Sequence, residues 1–183
     1  MKHITITGDL GSGKSAVSRI LAEKLNGKIL STGYIQRNIA ARYNMTTLEL
    51  NKYTETHPEI DDIIDNELKK TADSNDLHII DSRLAWFFIP DSFKVYLSVD
   101  IQVAAERIRE DSKRITETYD SSLKAATAIA DRKKSENKRY LSYYGADCAD
   151  MNNFDLIVDT SSVSPEEVAE TIIKGYDKWK LGC

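Results

Sequence analysis

The chain has 183 residues, enough for one well-cored domain and no more than one is needed to explain its length. A hydrophobic fraction of 41% and a charged fraction of 30% are those of a globular protein in water, and no apolar run approaches the length of a membrane span. The formal net charge of −4 argues against a nucleic-acid surface, which is normally basic.

Ile4-Thr5-Ile6-Thr7 is β-branched throughout and reads as a short buried strand. Gly8-Asp9-Leu10-Gly11-Ser12-Gly13-Lys14-Ser15 then fits G-x-x-x-x-G-K-[ST] at every position. Ala16 to Leu25 carries apolar residues at helical spacing and stops at Asn26-Gly27. Strand, glycine loop and helix are the order that a triphosphate cradle requires. Glycine lets successive N–H groups curl inward at phosphate oxygens, and the helix N-terminus adds partial positive charge. In such a loop Lys14 bridges the β- and γ-phosphates and the Ser15 hydroxyl ligates Mg²⁺.

A second strand is expected at 28–31, leading into Thr32-Gly33 and a helix from Tyr34 to Tyr43. Thr46 to Glu49 has the capping-box form and opens a helix to about Thr56. Pro58 suits the first position of the next helix, whose stripe is Ile60, Ile63, Ile64 and Leu68. The acidic run Glu59-Ile60-Asp61-Asp62 reads as that helix's solvated face. Leu77 to Ile80 is the third strand, closed by Asp81-Ser82-Arg83, and Phe93 to Val99 the fourth. Asp100 caps a helix through Ile108 and towards Ile115, and a long helix follows from about Ser121 to Tyr144, ending at Gly145. Leu156 to Asp159 is the fifth strand, and Ser164-Pro165-Glu166-Glu167 starts a last helix to about Trp179. Short apolar strands alternating with helices predict an α/β three-layer fold on a five-stranded parallel sheet.

Cys148 and Cys183 do not imply a disulfide, and His3, His57 and His78 form no metal-ligand pattern. With no basic-then-apolar leader before the first strand, the expected compartment is the cytoplasm. Trp86-Phe87-Phe88 divides evenly between core and pocket wall, whereas Tyr140, Tyr143 and Tyr144 fit packing.

The loop alone does not choose among triphosphate enzymes. A GTPase needs N-K-x-D, but Asn137-Lys138 is followed by Arg139-Tyr140, and D-x-x-G is absent. A motor-type ATPase needs a water-polarising Glu after the strand-end Asp, but Asp81 is followed by Ser82. Asp81 itself is well placed to hold Mg²⁺ through water. The chain is instead supplied with arginine: Arg37, Arg83, Arg107, Arg109, Arg132 and Arg139 fall near strand ends or on the following helices. Phosphoryl transfer needs phosphates held in line and their charge neutralised, and the planar guanidinium does both.

Gly8–Ser15, then Ser31-Thr32-Gly33 with Arg37, then Asp81-Ser82-Arg83 resemble the nucleoside monophosphate kinases. The resemblance is closest to the short archaeal-type cytidylate kinases and their bacterial relatives. Arg83-Leu84-Ala85-Trp86, Asp131-Arg132 to Arg139-Tyr140, Tyr143-Tyr144-Gly145 and Val158-Asp159-Thr160-Ser161 carry it, in the same order along the chain. It implies donor contacts from Gly8 through Ser15, namely Gly8, Asp9, Leu10, Gly11, Ser12, Gly13, Lys14 and Ser15, with Arg107 and Thr160 along the donor nucleotide. It implies an acceptor phosphate held by Ser31, Gly33, Arg37 and Arg83, in a helical insert at about 32–75. Arg132 and Arg139, which share a helix face at about two turns' spacing, would meet the transferring phosphate from a short lid at about 109–139. Lys14, Arg83, Arg132 and Arg139 are thus the expected catalytic residues, and Ser15 and Asp81 the Mg²⁺ residues.

The expected reaction moves the γ-phosphoryl of ATP to CMP or dCMP. The alternatives are another acceptor (AMP, UMP or a small alcohol) or an ATP-binding regulator without turnover. The partners are ATP and a nucleoside monophosphate, with neither nucleic acid nor membrane, and the chain is expected as a monomer or weak oligomer. Three departures from the resemblance stand out: Asp9-Leu10 in the loop, Tyr34 after Ser-Thr-Gly, and no glycine before Trp86. Asp9 is compatible with a phosphate site if its carboxylate faces away, because backbone amides do the binding.

Overall fold

The computed structural model describes residues 2–110 and 121–182, without the side chain of Leu48. Strand β1 (Ile4–Gly8) runs into helix α1 (Lys14–Leu25), β2 (Lys28–Ser31), α2 (Thr32–Arg42), α3 (Thr47–Tyr53) and α4 (Glu59–Ala72). Then come β3 (His78–Asp81), the single turn α5 (Ala85–Phe88), β4 (Phe93–Ser98), α6 (Ile101–Glu110), α7 (Ser122–Tyr144), β5 (Leu156–Asp159) and α8 (Pro165–Lys180). A 3₁₀ turn at Met151–Asn153 precedes β5. The expected continuation of α6 to Ile115 and residues 111–120 of the expected lid lie outside the described residues.

The local signals work as their chemistry requires. Thr46 with Glu49, and Ser164 with Glu167, form complete capping boxes. Asn26 and Gly145 end α1 and α7 in the left-handed conformation. Helix α2 begins two residues earlier than expected, because the Ser31 hydroxyl caps it by accepting the Tyr34 N–H at 3.4 Å. Helix α3 ends at Tyr53, short of Thr56, and Pro58 sits just outside α4 at its cap position.

All strand pairings are parallel, in the order β2-β3-β1-β4-β5. In β1, Ile4 and Ile6 join Val17 and Leu21 of α1 and Val168, Ala169 and Ile172 of α8 in one core. Thr5 and Thr7 point to the opposite face, also buried, where they bond Ser92 Oγ at 2.9 Å and the Ser82 carbonyl at 2.8 Å. There Ile80 supports a second core with Ile39, Leu50, Ile60, Ile64 and Leu68 of α2–α4. A third core zips α6 to α7 through Ala104, Ala105, Ile108, Ala125, Ala126 and Ile129. The sheet is therefore covered on both faces, as a fully buried parallel sheet must be. No helix among the described residues is long and apolar enough to cross a membrane.

The chain leaves β1 towards β2 on one side and reaches β4 on the other, so strand order reverses at β1, where open α/β sheets bind ligands. The register sets Ser31 and Ile6 beside Asp81 and Gly8 beside Leu97, gathering these strand ends at one edge of the sheet. Gly8 is required there: its φ is 146° and a Cβ would overlap the Leu97 backbone. Gly13, at φ 80°, faces open space with no atom within 4 Å of such a Cβ. Gly8→Ala should cost about 3 kcal/mol or more, and Gly13→Ala about 1 kcal/mol. Chemical denaturation of both variants checks this; equal losses would contradict the packing argument.

Candidate active site

Helix α1 has no side-chain cap and no acidic residue in its first turn, unlike α3 and α8. Its positive end is thus left open to an anion. The Lys14 ammonium donates back to the carbonyls of Gly8 (3.0 Å) and Asp9 (2.7 Å). Burial pushes the Lys14 pKa down to about 7, helped by the Arg83 charge and resisted by Asp81, Glu136 and Asp9. An arriving phosphate would reverse that balance and favour the charged form. The Ser15 hydroxyl donates to Asp81 Oδ2 at 2.9 Å.

One cavity collects most of the expected residues: Leu10, Gly11, Gly13, Lys14 and Ser15 of the loop, Ser31, Gly33 and Arg37 of the β2–α2 corner, and Asp81, Arg83 and Arg132. Arg37 is exposed, and its guanidinium makes no ion pair with any described residue. Arg107 bridges the other side of the loop, donating to the Gly11 carbonyl (3.3 Å) and to Thr160 Oγ1 (3.3 Å) and carbonyl (2.7 Å). With Ser12, Gly13, Val17, Val163, Pro165 and Val168, Arg107 and Thr160 line a mostly apolar recess. Asp9 stands apart from the phosphate cavity. Its carboxylate turns outward, accepting from Tyr96 Oη (2.9 Å), Lys133 Nζ (2.6 Å) and the Val99 N–H (3.3 Å). Burial would raise the Asp9 pKa, but the bonds from Lys133 and Tyr96 outweigh it and hold the group below the usual range.

The cations converge on a residue that sequence reasoning passed over. Glu136, 3% exposed, takes Arg83 Nε on one oxygen (2.9 Å) and Arg132 Nε on the other (2.8 Å). Arg83 also donates through Nη1 to the Gly8 carbonyl, and its own carbonyl accepts the Trp86 indole N–H at 3.0 Å. Burial alone would raise the Glu136 pKa, yet the arginines, Arg83 foremost, bring it to about 2. Glu136 lies four residues after Arg132 and three before Arg139, so helical spacing was the available signal.

Arg139 departs from expectation. It shares the helix face with Arg132 and Glu136 but is buried against α3 and α4, and it does not line the phosphate cavity. Its Nη1 donates to the Asn51 carbonyl (3.1 Å) and to Thr54 Oγ1, and its Nε lies 3.5 Å from Asp61 Oδ2. Asp61 corrects a second expectation: it is 7% exposed and belongs to no solvated face. Asp61 and Asp65 line a further recess with Ile64, Leu68, Leu84, Tyr140 and Tyr144, so these two tyrosines do more than pack. Tyr144 Oη donates to Asp65 Oδ2 at 2.8 Å. Burial pushes both aspartates above the usual carboxylate range, against the Arg139 charge at Asp61 and the Tyr144 bond at Asp65. The recess shares Thr32, Gln36, Ser82 and Arg83 with the phosphate cavity, so the two are continuous. Trp86 belongs to core, buried with Leu84, Tyr140, Ala146 and Cys148.

Residues 3–162 match the cytidylate kinase-like family. The chain belongs to that family. It is 40% identical over 172 residues to a cytidylate kinase of Sulfolobus acidocaldarius, covering 93% of this chain and 91% of the relative. It is 37% identical over 181 residues to one of Sulfurisphaera tokodaii, covering 97% and 96%. In fold it is similar to a shikimate kinase from Bacteroides thetaiotaomicron, with a TM-score of 0.67 at 17% identity over 94% of this chain and 97% of the other. This kinase is an ATP-dependent phosphotransferase, which sets aside the regulator without turnover.

The depressed pKa of Glu136 makes a signed prediction about this kinase. Its contribution to stability is complete above the ordinary value of 4.5 and is lost as pH falls towards about 2. Glu136→Gln should cost about 3 kcal/mol at neutral pH, because two half-buried guanidinium groups lose the buried carboxylate they share. Urea titrations at a series of pH values should show the variant's stability falling less steeply than the wild type's between those limits. Parallel curves would refute the assignment.

Proposed function

We propose that the protein transfers the γ-phosphoryl of ATP to CMP or dCMP. The observation that carries the base assignment is the pair of buried carboxyls, Asp61 and Asp65, in the recess continuous with the phosphate cavity. A cytosine edge offers an amino donor beside a ring-nitrogen acceptor. A carboxylate takes the former, as Asp and Glu do when reading cytosine, and a carboxyl of raised pKa can return a proton to the latter. Uracil presents a carbonyl where cytosine has its amino group and would meet a carboxylate oxygen.

On this reading ATP lies along the loop from Gly8 to Ser15, its triphosphate at the uncapped start of α1 and on Lys14, its base in the recess of Val163, Pro165 and Val168 beside Arg107 and Thr160. The oxygens of Ser15 and Asp81, 2.9 Å apart at the loop's edge, suit Mg²⁺ as a hard cation that keeps several waters. Ser15 would ligate it directly and Asp81 through water, and when bound it neutralises charge on the donor phosphates. Ser31, Gly33, Arg37 and Arg83 hold the acceptor phosphate, and the insert at about 32–75 surrounds its base. An acceptor phosphate dianion is already a nucleophile, so no general base is required. Arg132 meets the transferring group, and closure of the lid at about 109–139 excludes the water that would otherwise be phosphorylated. Arg139 would join it only by leaving Asn51, Thr54 and Asp61; in the present conformation we assign it the seating of α3 and α4. All these groups come from one chain, which fits a monomer, and the cytoplasm, where both nucleotides are held, fits as its location.

An acceptor panel in a coupled ADP-release assay tests this reading. CMP and dCMP should exceed UMP by about 10- to 100-fold in kcat/KM, and Asp65→Asn should narrow the gap. AMP, which also carries an amino group, should be refused on size. Preference for UMP, AMP or an alcohol would overturn the base assignment. Arg37→Ala is a cleaner probe of the acceptor phosphate than Arg83→Ala, since Arg83 also braces Gly8 and Glu136. It should raise the CMP KM about 10-fold or more while leaving ATP affinity unchanged; equal loss of both would count against the clamp.

A further inference from the structure

Asp9 is the position where the loop departs most from its resemblance, and the structure gives it a definite set of partners. Its main chain and its side chain hold two different lysines. The carbonyl accepts Lys14 Nζ at 2.7 Å, inside the phosphate cavity. The carboxylate accepts Lys133 Nζ at 2.6 Å, on α7 and outside that cavity. The carboxylate has little freedom, because Tyr96 Oη from β4 (2.9 Å) and the Val99 N–H (3.3 Å) fix it from the sheet side. An exposed ion pair adds little stability, and Lys133 is 47% exposed. The value of this contact lies in where it sets the helix.

Helix α7 is tied to the loop twice. The inner tie runs from Arg132 through Glu136 and Arg83 to the Gly8 carbonyl. The outer tie is Lys133 to Asp9. The inner tie leaves the helix at Glu136, which also holds Arg132, and the outer at Lys133 three residues earlier. The two lie about 60° apart around the axis, so they reach the loop along neighbouring lines of one turn and end on adjacent residues of it. The α6 seam and Arg139 hold the two ends of α7; between them these two ties set the local rotation of the turn that carries Arg132.

We propose that Asp9 is a positioning residue, which through Lys133 sets the rotation of α7 so that Arg132 faces the phosphate cavity. The proposal rests on the reading that Arg132 acts in phosphoryl transfer. Asp9 touches no reacting atom, and its effect passes through the helix.

The test is steady-state turnover of ATP and CMP by Asp9→Asn, Lys133→Met, Lys133→Arg, Arg132→Ala and the double variant Asp9→Asn/Arg132→Ala. Asp9→Asn and Lys133→Met should each lower kcat about 10-fold, a misplacement effect, with the ATP KM changed less than about 3-fold. Lys133→Arg, which keeps charge and reach, should restore most of kcat. In the Arg132→Ala background, Asp9→Asn should cost less than about 2-fold more, because the residue it positions is gone. Wild-type kcat in Asp9→Asn and Lys133→Met, a raised ATP KM at unchanged kcat, or fully multiplicative losses would each overturn the proposal. Should Asp9→Asn fail to fold, the half-exposed Lys133 variants carry the same comparison. If Arg132→Ala alone leaves kcat unchanged, the reading of Arg132 fails and the proposal with it. A normal Arg132→Ala loss that Asp9→Asn multiplies removes the proposal alone.

Discussion

A single buried carboxylate holds the site together. Glu136 accepts one arginine from the end of β3 and another from its own helix, and the first of these reaches on to the carbonyl of Gly8. Without Glu136, Arg83 and Arg132 would stand close together beside a third cation, Lys14, without the carboxylate they share. That repulsion is visible in what remains of it, since the Arg83 charge still helps lower the Lys14 pKa. The phosphate loop is rigid because its carbonyls are already taken: Gly8 by Lys14 and Arg83, Asp9 by Lys14 and Ser12. Of its amides, those of Asp9 and Ser12 are also taken, by the Leu97 and Asp9 carbonyls, which leaves those at the uncapped start of α1 to a ligand. The result is a cationic cavity whose stability falls as Glu136 takes up a proton, and burial by itself pushes the pKa of that group up, against the arginines.

The geometry separates the work of the two nucleotides. The reversal of strand order at β1 opens a crevice with the loop as its floor, and the register places Ser31 and Asp81 on one wall. On the side of α6 and β5, the recess at Arg107 and Thr160 is lined largely by apolar atoms. On the side of α2–α4, the recess carries two acidic groups within an apolar frame. Between them lie the cations. Two unlike recesses flanking one phosphate cavity suit a reaction between two nucleotides better than hydrolysis of one.

Much of this was legible in the sequence. The loop, the caps at Thr46 and Ser164 and the five apolar runs each follow from local chemistry, and the fold has them where the chain predicts. Arg37, Arg83 and Arg107 fall around the loop because strand-end and post-strand positions in a parallel sheet share one edge, and Arg132 reaches the same cavity from α7. The recess was illegible for a different reason. Asp61 sits in an acidic helical run that looks solvated, and nothing local reveals that Arg139, 78 positions away in sequence, will pack against it. Glu136 was missed although it stands at helical spacing between two residues already singled out, since an acid among arginines on a long polar helix looks like surface. Asp9 was noticed as an oddity; only the fold supplies Lys133 and Tyr96 as the reason its charge is harmless to a phosphate.

The central claim is that one cavity aligns an ATP phosphate chain with a CMP phosphate, loop on one side and arginines on the other. The most direct measurement is a crystal structure with an analogue that joins adenosine and cytidine through a chain of phosphates. The account predicts the adenine beside Arg107 and Thr160, the phosphates spanning Lys14, Arg132 and Arg37, and the cytosine amino group against Asp61 or Asp65. An analogue bound with its cytidine end outside the recess, or with Arg37 and Arg132 turned away from the phosphates, would contradict it.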